Sequence, residues 1–175
     1  MKNEMHQKIG RRVLAALLAA TLLLGGFGCA GSRTLSRLRR ELGVDVSKGT
    51  VLVGEDDHNG AGSSGTAFTA AAFDPGAAGA LTKKLASDGR WNELPLTDTL
   101  SRAVYGDAEH EPLTTMGGEK AIPEVKNGYY RFIDRYKGAQ DASDDSFLFT
   151  RTDYNFTIAL YDTDANVLYY YKLDL

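Results

Sequence analysis

The chain has little cysteine and histidine, and its charge is close to balanced. Among its 175 residues there is one cysteine, Cys29, and there are three histidines. A single cysteine has no partner for an intramolecular disulfide. Without a second cysteine or a neighbouring histidine, it is also not typical of a redox or nucleophilic centre. The formal net charge of −3 at pH 7 does not favour binding to nucleic acid.

Several motifs of common enzyme classes are also missing. No alternation of strands and helices surrounds a glycine-rich phosphate loop. There is no GxSxG motif of the kind that presents a nucleophilic serine, and no internal repeat is visible. The sequence therefore predicts no catalytic residue and no cofactor.

A short apolar run follows several basic residues near the start of the chain. It extends from Val13 to Leu24 and comes after two lysines and two arginines. A membrane-spanning helix needs about 20 apolar residues, so this run is too short to cross a bilayer comfortably. Small residues follow the run and lead to Cys29. This order is typical of a cleaved export signal.

With Cys29 in that place, residues 1–28 resemble the signal peptide of a bacterial lipoprotein. In that class a box of small residues ends at a cysteine, whose thiol is diacylated and which becomes the first residue of the mature chain. Gly28 fits the box, whereas Gly26 stands where the class usually has leucine. The resemblance implies lipidation of Cys29 and a location on the extracytoplasmic face of the cell membrane, because two acyl chains give a stable anchor. A plain cleaved signal with an unmodified thiol is the alternative.

The rest of the chain is expected to fold as one domain. Residues 29–33 are predicted to be a tether, and residues 34–175 are long enough to form a hydrophobic core. An amphipathic helix is predicted between Ser32 and Gly43. Two further helices are predicted to begin after capping residues, one after an aspartate followed by proline and one after a threonine.

Strands account for most of the remaining pattern. The strongest signal is a hairpin in which apolar residues recur at every second position on both sides of a turn. Parity requires an even loop, so we expect Leu160 to face Tyr169 across a turn at Thr163–Asn166. The prediction is an α+β fold, with an antiparallel sheet of four to six strands and two or three helices packed mainly on one face. The domain also looks like small exported bacterial proteins of uncharacterised function, which implies no activity.

Basic residues cluster on the first predicted helix. They are Arg33, Arg37, Arg39 and Arg40. An anionic membrane surface attracts such a cluster, and a solvated helix face explains it equally well. Both readings stay open.

A second cluster follows the first predicted strand. It contains Glu55, Asp56, Asp57 and His58, next to a glycine-rich segment. Oxygen ligands near a turn can bind calcium, so these four residues are a candidate metal site, although their spacing is not that of an EF-hand. A solvated turn is the alternative interpretation.

Three tyrosines are candidate residues of a binding surface. Tyr161 and Tyr170 fall on the face of their strands opposite the predicted core, and Tyr129 extends that face from a neighbouring strand. Exposed tyrosines suit recognition of a sugar or peptide, because each offers apolar area and a polar tip. Stabilisation of the sheet by cross-strand pairs is the alternative.

These observations predict a membrane-anchored surface lipoprotein that acts as a binding or envelope-associated module and not as an enzyme. Its expected partners are the membrane, through the lipid anchor, and an envelope glycan, peptide or protein. The alternative is a small secreted metal-dependent enzyme or hydrolase that uses the Glu55–His58 corner. The enzyme requires Asp56, His58 and a second acid to meet in a cleft. The binding module requires exposed tyrosines on an open sheet face.

Overall fold

The computed structural model describes residues 28–58, 60 and 63–175. The predicted signal peptide, apart from Gly28, lies outside the described residues. Only the backbone of Cys29 is described, so lipidation stays a prediction. Within the described part of the chain, no helix is long and apolar enough to cross a membrane.

The described residues form three α-helices: α1 (Gly28–Leu42), α2 (Pro75–Ser87) and α3 (Asp98–Tyr105). The predicted caps are confirmed, since the side chain of Asp74 accepts a hydrogen bond from the amide of Ala77 at 2.9 Å. Thr97 accepts one from the amide of Leu100 at 3.1 Å in the same way.

Helix α1 begins earlier than predicted. Residues 29–33, expected to form a tether, belong to the helix. The backbone at Gly31 lies against Val51 of the first strand, where an added Cβ would be 3.8 Å from the valine Cγ2. Packing against this strand stabilises the first turn of α1. This contact depends on the tertiary fold, so the sequence pattern of the helix does not predict it.

Strands within the described residues form two antiparallel sheets. Strands β4 (Thr115–Met116) and β5 (Glu119–Lys120) pair with each other, and the other six form the main sheet in the order β1-β2-β8-β7-β6-β3. The strands of the main sheet are β1 (Thr50–Asp56), β2 (Gly65–Ala72), β3 (Asn92–Glu93), β6 (Gly128–Asp134), β7 (Asn155–Asp162) and β8 (Val167–Asp174). A short 3-10 helix, Leu148–Thr150, precedes β7.

The predicted hairpin between β7 and β8 has the expected register. Leu160 faces Tyr169, and residues 163–166 form the four-residue turn. Asn166 adopts a φ of 55°, a left-handed conformation that asparagine tolerates better than most residues. The α+β prediction is also confirmed, with six strands in the main sheet and three described helices.

Both faces of the sheet are covered, which overturns the expected open tyrosine face. Helices α1 and α2 pack on one face, and α3, the 3-10 helix and loops pack on the other. Tyr161 and Tyr170 are 0% exposed beneath α1 and α2, and Tyr129 is partly buried against the same cluster. The exposure prediction was wrong because it assigned one face of the hairpin to the core, although Ala159 and Leu168 already made the other face apolar.

Candidate ligand-binding site

A cavity of about 460 Å³ opens beside α1, at the end of the sheet where β1 and β8 finish and β2 and β7 begin. We call it the polar cavity. Its lining residues with charged or titratable side chains are Arg37, Asp56, His58, Arg135, Tyr170, Lys172 and Asp174. These residues come from α1, from β1 and the turn after it, from β8, and from the position directly after β6.

Strand register explains why residues far apart in sequence meet here. Asp56 pairs with Ala67, and Ala67 pairs with Lys172, so Asp56 and Lys172 lie in one row on the α1 face. Asp174 lies two residues further along β8 and therefore projects from the same face. The β7–β8 pairing places Asn155 beside Asp174.

His58 joins two carboxylates in the polar cavity. Its Nδ1 atom lies 2.6 Å from Asp56 Oδ1, and its Nε2 atom lies 3.1 Å from Asp174 Oδ2. Each of these carboxylates also pairs with a cation. Arg37 Nη1 pairs with Asp56, and Lys172 Nζ lies 2.5 Å from Asp174 Oδ2. The imidazole is 13% exposed, so most of the ring is shielded from water.

Asp56 is held ionised by its neighbours. Burial raises the pKa of its carboxyl, but hydrogen bonds from the Arg37 guanidinium and from the His58 ring and backbone outweigh burial and lower it. Asp56 is therefore a fixed negative charge at neutral pH.

A second network lies behind the polar cavity and centres on Glu41 of α1. Its carboxylate accepts hydrogen bonds from Tyr170 Oη at 2.6 Å, from Thr157 Oγ1 at 3.0 Å and from Arg135 Nη2. Arg135 Nη1 also donates to Thr157 Oγ1 at 2.8 Å. Burial, followed by the nearby Glu41 charge, raises the pKa of the Tyr170 hydroxyl, which stays protonated as a donor. The network fixes Tyr170 and Arg135, which both line the cavity.

The predicted metal ligands do not all come together. Asp56 and His58 meet, whereas Asp57 accepts hydrogen bonds from the backbone and hydroxyl of Thr66. Glu55 pairs with Phe68, whose side chain belongs to the cluster on the α3 face. Adjacent residues of a strand project to opposite faces, so this consecutive cluster is split by the fold. Among the described residues, no group of three or more histidine, cysteine or acidic side chains could hold a metal ion.

Two serines line the polar cavity without forming a nucleophile–base pair. Ser63 Oγ donates to the carbonyl of Gly60 at 2.9 Å. Both ring nitrogens of His58 face carboxylates, which leaves neither nitrogen directed at a serine hydroxyl. A serine hydrolase needs such a contact, so this arrangement does not provide one.

Several residues that line the polar cavity were not predicted from the sequence to be site residues. Lys172 and Asp174 share their parity with Tyr170 and therefore its face, which was a usable signal. Arg37 was grouped with the other basic residues of its helix, and nothing local linked it to Asp56. Arg135 lies directly after a strand, where alternation no longer predicts its direction.

Comparisons with known proteins give no relative: no family model, no curated protein and no solved structure matches the chain significantly.

Proposed function

We propose that the chain is a lipid-anchored protein of the extracytoplasmic membrane face, whose domain binds a small polar ligand in the polar cavity. The observation that supports this most directly is the convergence of charged side chains from separate elements around one open cavity. A cavity with a few convergent polar groups is the usual form of a ligand site.

The unsatisfied groups of the cavity indicate what kind of ligand fits. Asp174 Oδ1 is buried and has no hydrogen-bond partner, and the side-chain oxygen of the neighbouring Asn155 has none either. Buried acceptors without donors are costly, so the site favours a ligand that donates hydrogen bonds. Lys172 and Arg135 also line the cavity and carry donors, although each is paired with a carboxylate of the protein. A hydroxyl group both donates and accepts, so a glycan fragment of the cell envelope matches this mixture.

Binding is tested by calorimetric titration of the full chain with oligosaccharides of N-acetylglucosamine. We expect binding by the unaltered chain and at least tenfold weaker binding by Asp174→Asn, which removes the acceptor charge with little change of shape. Lys172→Met is expected to weaken binding similarly, whereas Lys83→Met, at an exposed position of α2, leaves it unchanged. Equal binding by all four proteins would show that the polar cavity is not the site.

The anchor is tested by the intact mass of the protein from its native membrane fraction. We expect a mature chain that begins at Cys29 and is heavier by its acyl chains. Cys29→Ala is expected to release the protein from the membrane. An unmodified chain in the medium contradicts the anchor and leaves the polar cavity to a diffusible ligand.

The alternative proposal is a hydrolase. Metal dependence is not proposed, because no group of three or more histidine, cysteine or acidic side chains among the described residues could hold a metal ion. The meeting of Asp56, His58 and Asp174 in one cavity is the observation in its favour. Such an enzyme requires one carboxylate to release the imidazole when substrate binds. Hydrolysis of p-nitrophenyl acetate that His58→Gln abolishes and Lys83→Met preserves would favour it over the binding proposal.

A further inference from the structure

A second cavity, of about 320 Å³, lies between α1 and β1. It is lined by Arg33, Arg37 and Arg40 of the helix and by Thr69 of β2, with part of β1 as its edge. We call it the arginine cleft. The three arginines stand three or four residues apart, so they share one face of α1. The remaining arginine of the cluster, Arg39, does not line the cleft.

The cleft has positive charge that the described residues do not neutralise. Arg33 and Arg40 form no ion pair with any described residue, and Arg37 is paired with Asp56 through one of its terminal nitrogens. Glu55 also borders the cleft, but its pairing with Phe68 directs its side chain to the other face of the sheet. Two guanidinium groups are therefore available to an anion.

Two buried donors in the cleft have no partner. Thr69 is 0% exposed, and its Oγ1 atom makes no hydrogen bond. Arg37 Nε is buried and also without a partner. Both side chains line the cleft, so each offers an unused donor to an acceptor bound there.

The strand opposite Thr69 leaves the space that a ligand needs. Thr69 pairs with Gly54, which has no side chain to fill the cleft. An added Cβ at Gly54 would meet only Val51, at an ordinary contact distance of 3.5 Å. The backbone at position 54 therefore does not require glycine, and a larger side chain there can fill the cleft.

We propose that the arginine cleft binds a phosphate group. A phosphate offers several acceptor oxygens around one centre, so it can bridge the Thr69 hydroxyl, Arg37 Nε and the free guanidinium groups at the same time. The source is either the headgroup of an anionic phospholipid or a soluble phosphate ester. The acidic balance of the whole chain does not favour a nucleic acid as the source.

The start of α1 favours the lipid source, and this step rests on the proposed anchor at Cys29. Arg33 follows Cys29 by four residues within the same helix, which is about 6 Å along the helix axis. A lipid attached at Cys29 would therefore bring Arg33, at the near end of the arginine cleft, close to the lipid headgroups. Anionic headgroups attract basic side chains at that depth.

The test uses the full chain carrying Cys29→Ala, so that no result depends on lipidation. One arm measures binding of inorganic phosphate and of glycerol 3-phosphate by calorimetry. The other measures co-sedimentation with vesicles of phosphatidylcholine alone or mixed with phosphatidylglycerol. Thr69→Val removes the hydroxyl and keeps the shape, Gly54→Val fills the cleft, and Arg40→Gln removes a lining charge. Arg39→Gln is the matched control, because it removes the same charge from the same helix outside the cleft.

We expect phosphate binding that Thr69→Val, Gly54→Val and Arg40→Gln each weaken at least fivefold and that Arg39→Gln leaves within twofold. Preference for phosphatidylglycerol vesicles with the same variant pattern assigns the lipid source, and binding of soluble phosphates alone assigns the soluble one. Absence of binding in both arms overturns the proposal. Equal losses for Arg39→Gln and Arg40→Gln, with no effect of Thr69→Val, also overturn it, because they indicate diffuse surface charge. Thermal melts establish that each variant is folded.

Failure of this proposal and failure of the anchor are separable. The mass of the native protein decides whether Cys29 is lipidated, and the Cys29→Ala chain decides whether the cleft binds phosphate. Ligand binding in the polar cavity is tested by its own variants, since none of the cleft variants alters Asp174 or Lys172. Arg37 and Asp56 line both cavities, and neither residue is substituted in either test.

Discussion

Glu41 shows how a single residue connects the core to the polar cavity. Its carboxylate is 18% exposed and holds three donors from β7, from β8 and from the residue after β6. A shielded carboxylate is tolerated only when hydrogen bonds replace its water, so each donor stabilises both the charge and the packing of α1 on the sheet.

Removing one of these donors is expected to destabilise the fold. Tyr170→Phe deletes the hydroxyl that donates to Glu41 at 2.6 Å and leaves the ring in place. Because the acceptor is charged, we expect a loss of about 1.5–3 kcal/mol in the free energy of unfolding, measured by urea denaturation. Tyr161→Phe is the control, since its hydroxyl contacts the neutral carbonyl of Ala78 at 3.5 Å and the neutral side chain of Thr82, and does not donate to a carboxylate. A loss for Tyr161→Phe as large as that for Tyr170→Phe contradicts this assignment.

A buried ion pair on the other side of the sheet gives a second prediction. Arg151 Nη1 lies 2.6 Å from Asp134 Oδ2, the two side chains are 7% and 5% exposed, and the guanidinium lies over the ring of Tyr136. Arg151→Met leaves a buried carboxylate without its cation, so we expect a loss of about 3–5 kcal/mol by urea denaturation. Arg102→Met breaks a pair whose arginine is 43% exposed, and we expect that loss to be below about 1 kcal/mol. Similar losses for the two variants would show that burial is not what distinguishes the pairs.

At the scale of elements, the start of β6 depends on one glycine. Gly128 has a φ of 144°, and a Cβ added there would lie 1.8 Å from the carbonyl oxygen of Tyr161 on β7. Only glycine allows the two strands to approach this closely with this backbone conformation.

Two glycine substitutions should therefore have opposite effects. Gly128→Ala is expected to lower the melting temperature sharply, because β6 must move away from β7 or change its backbone conformation. Gly79→Ala, within α2 and with nothing within 4 Å of the added Cβ, should stabilise the protein by up to about 1 kcal/mol, because alanine favours a helix. Calorimetric melts measure both, and a Gly128→Ala protein as stable as the unaltered chain would falsify the close approach.

Local sequence features predicted the helices and strands well, but they did not predict which residues of other elements pack against them. The caps Asp74 and Thr97 are decided within three residues, and the Leu160–Tyr169 register follows from parity alone. The burial of Tyr170 was missed because it depends on α1, which is far away in sequence. The polar cavity was missed for the same reason: His58 and Asp174 are 116 positions apart and meet only through two strand pairings. Of the four residues predicted as a metal site, Asp56 and His58 meet, whereas the alternation of β1 directs Glu55 to the other face and Asp57 bonds to Thr66.

At the scale of the whole molecule, β8 connects the two core layers. Tyr170 packs under α1, whereas Tyr169 and Tyr171 pack in the layer that contains α3. Burial raises the pKa of Tyr169 and of Tyr171 to about 12. A phenolate on this strand therefore disturbs one layer or the other.

The fold is expected to fail in alkali as a single unit. The folded state binds the tyrosine protons more tightly than the unfolded chain, whose tyrosines titrate near pH 10. Stability from these residues is therefore complete below about pH 10 and is lost as pH rises towards 12. Absorbance at 295 nm and circular dichroism should change together over this range. Titration of every tyrosine near pH 10 with unchanged dichroism contradicts the prediction.

The position of β8 in the sheet also affects the order in which the fold can be completed. It is the last described strand in the chain, yet it lies between β2 and β7 in the sheet. A chain that emerges with its N-terminus first can form the β1–β2 and β6–β7 pairs early, but each pair keeps an open edge until residues 167–174 arrive. Lys172 and Asp174 arrive with that strand. The polar cavity can therefore form only in a chain that includes β8, because a chain that ends before residue 167 lacks two of the charged residues that line it.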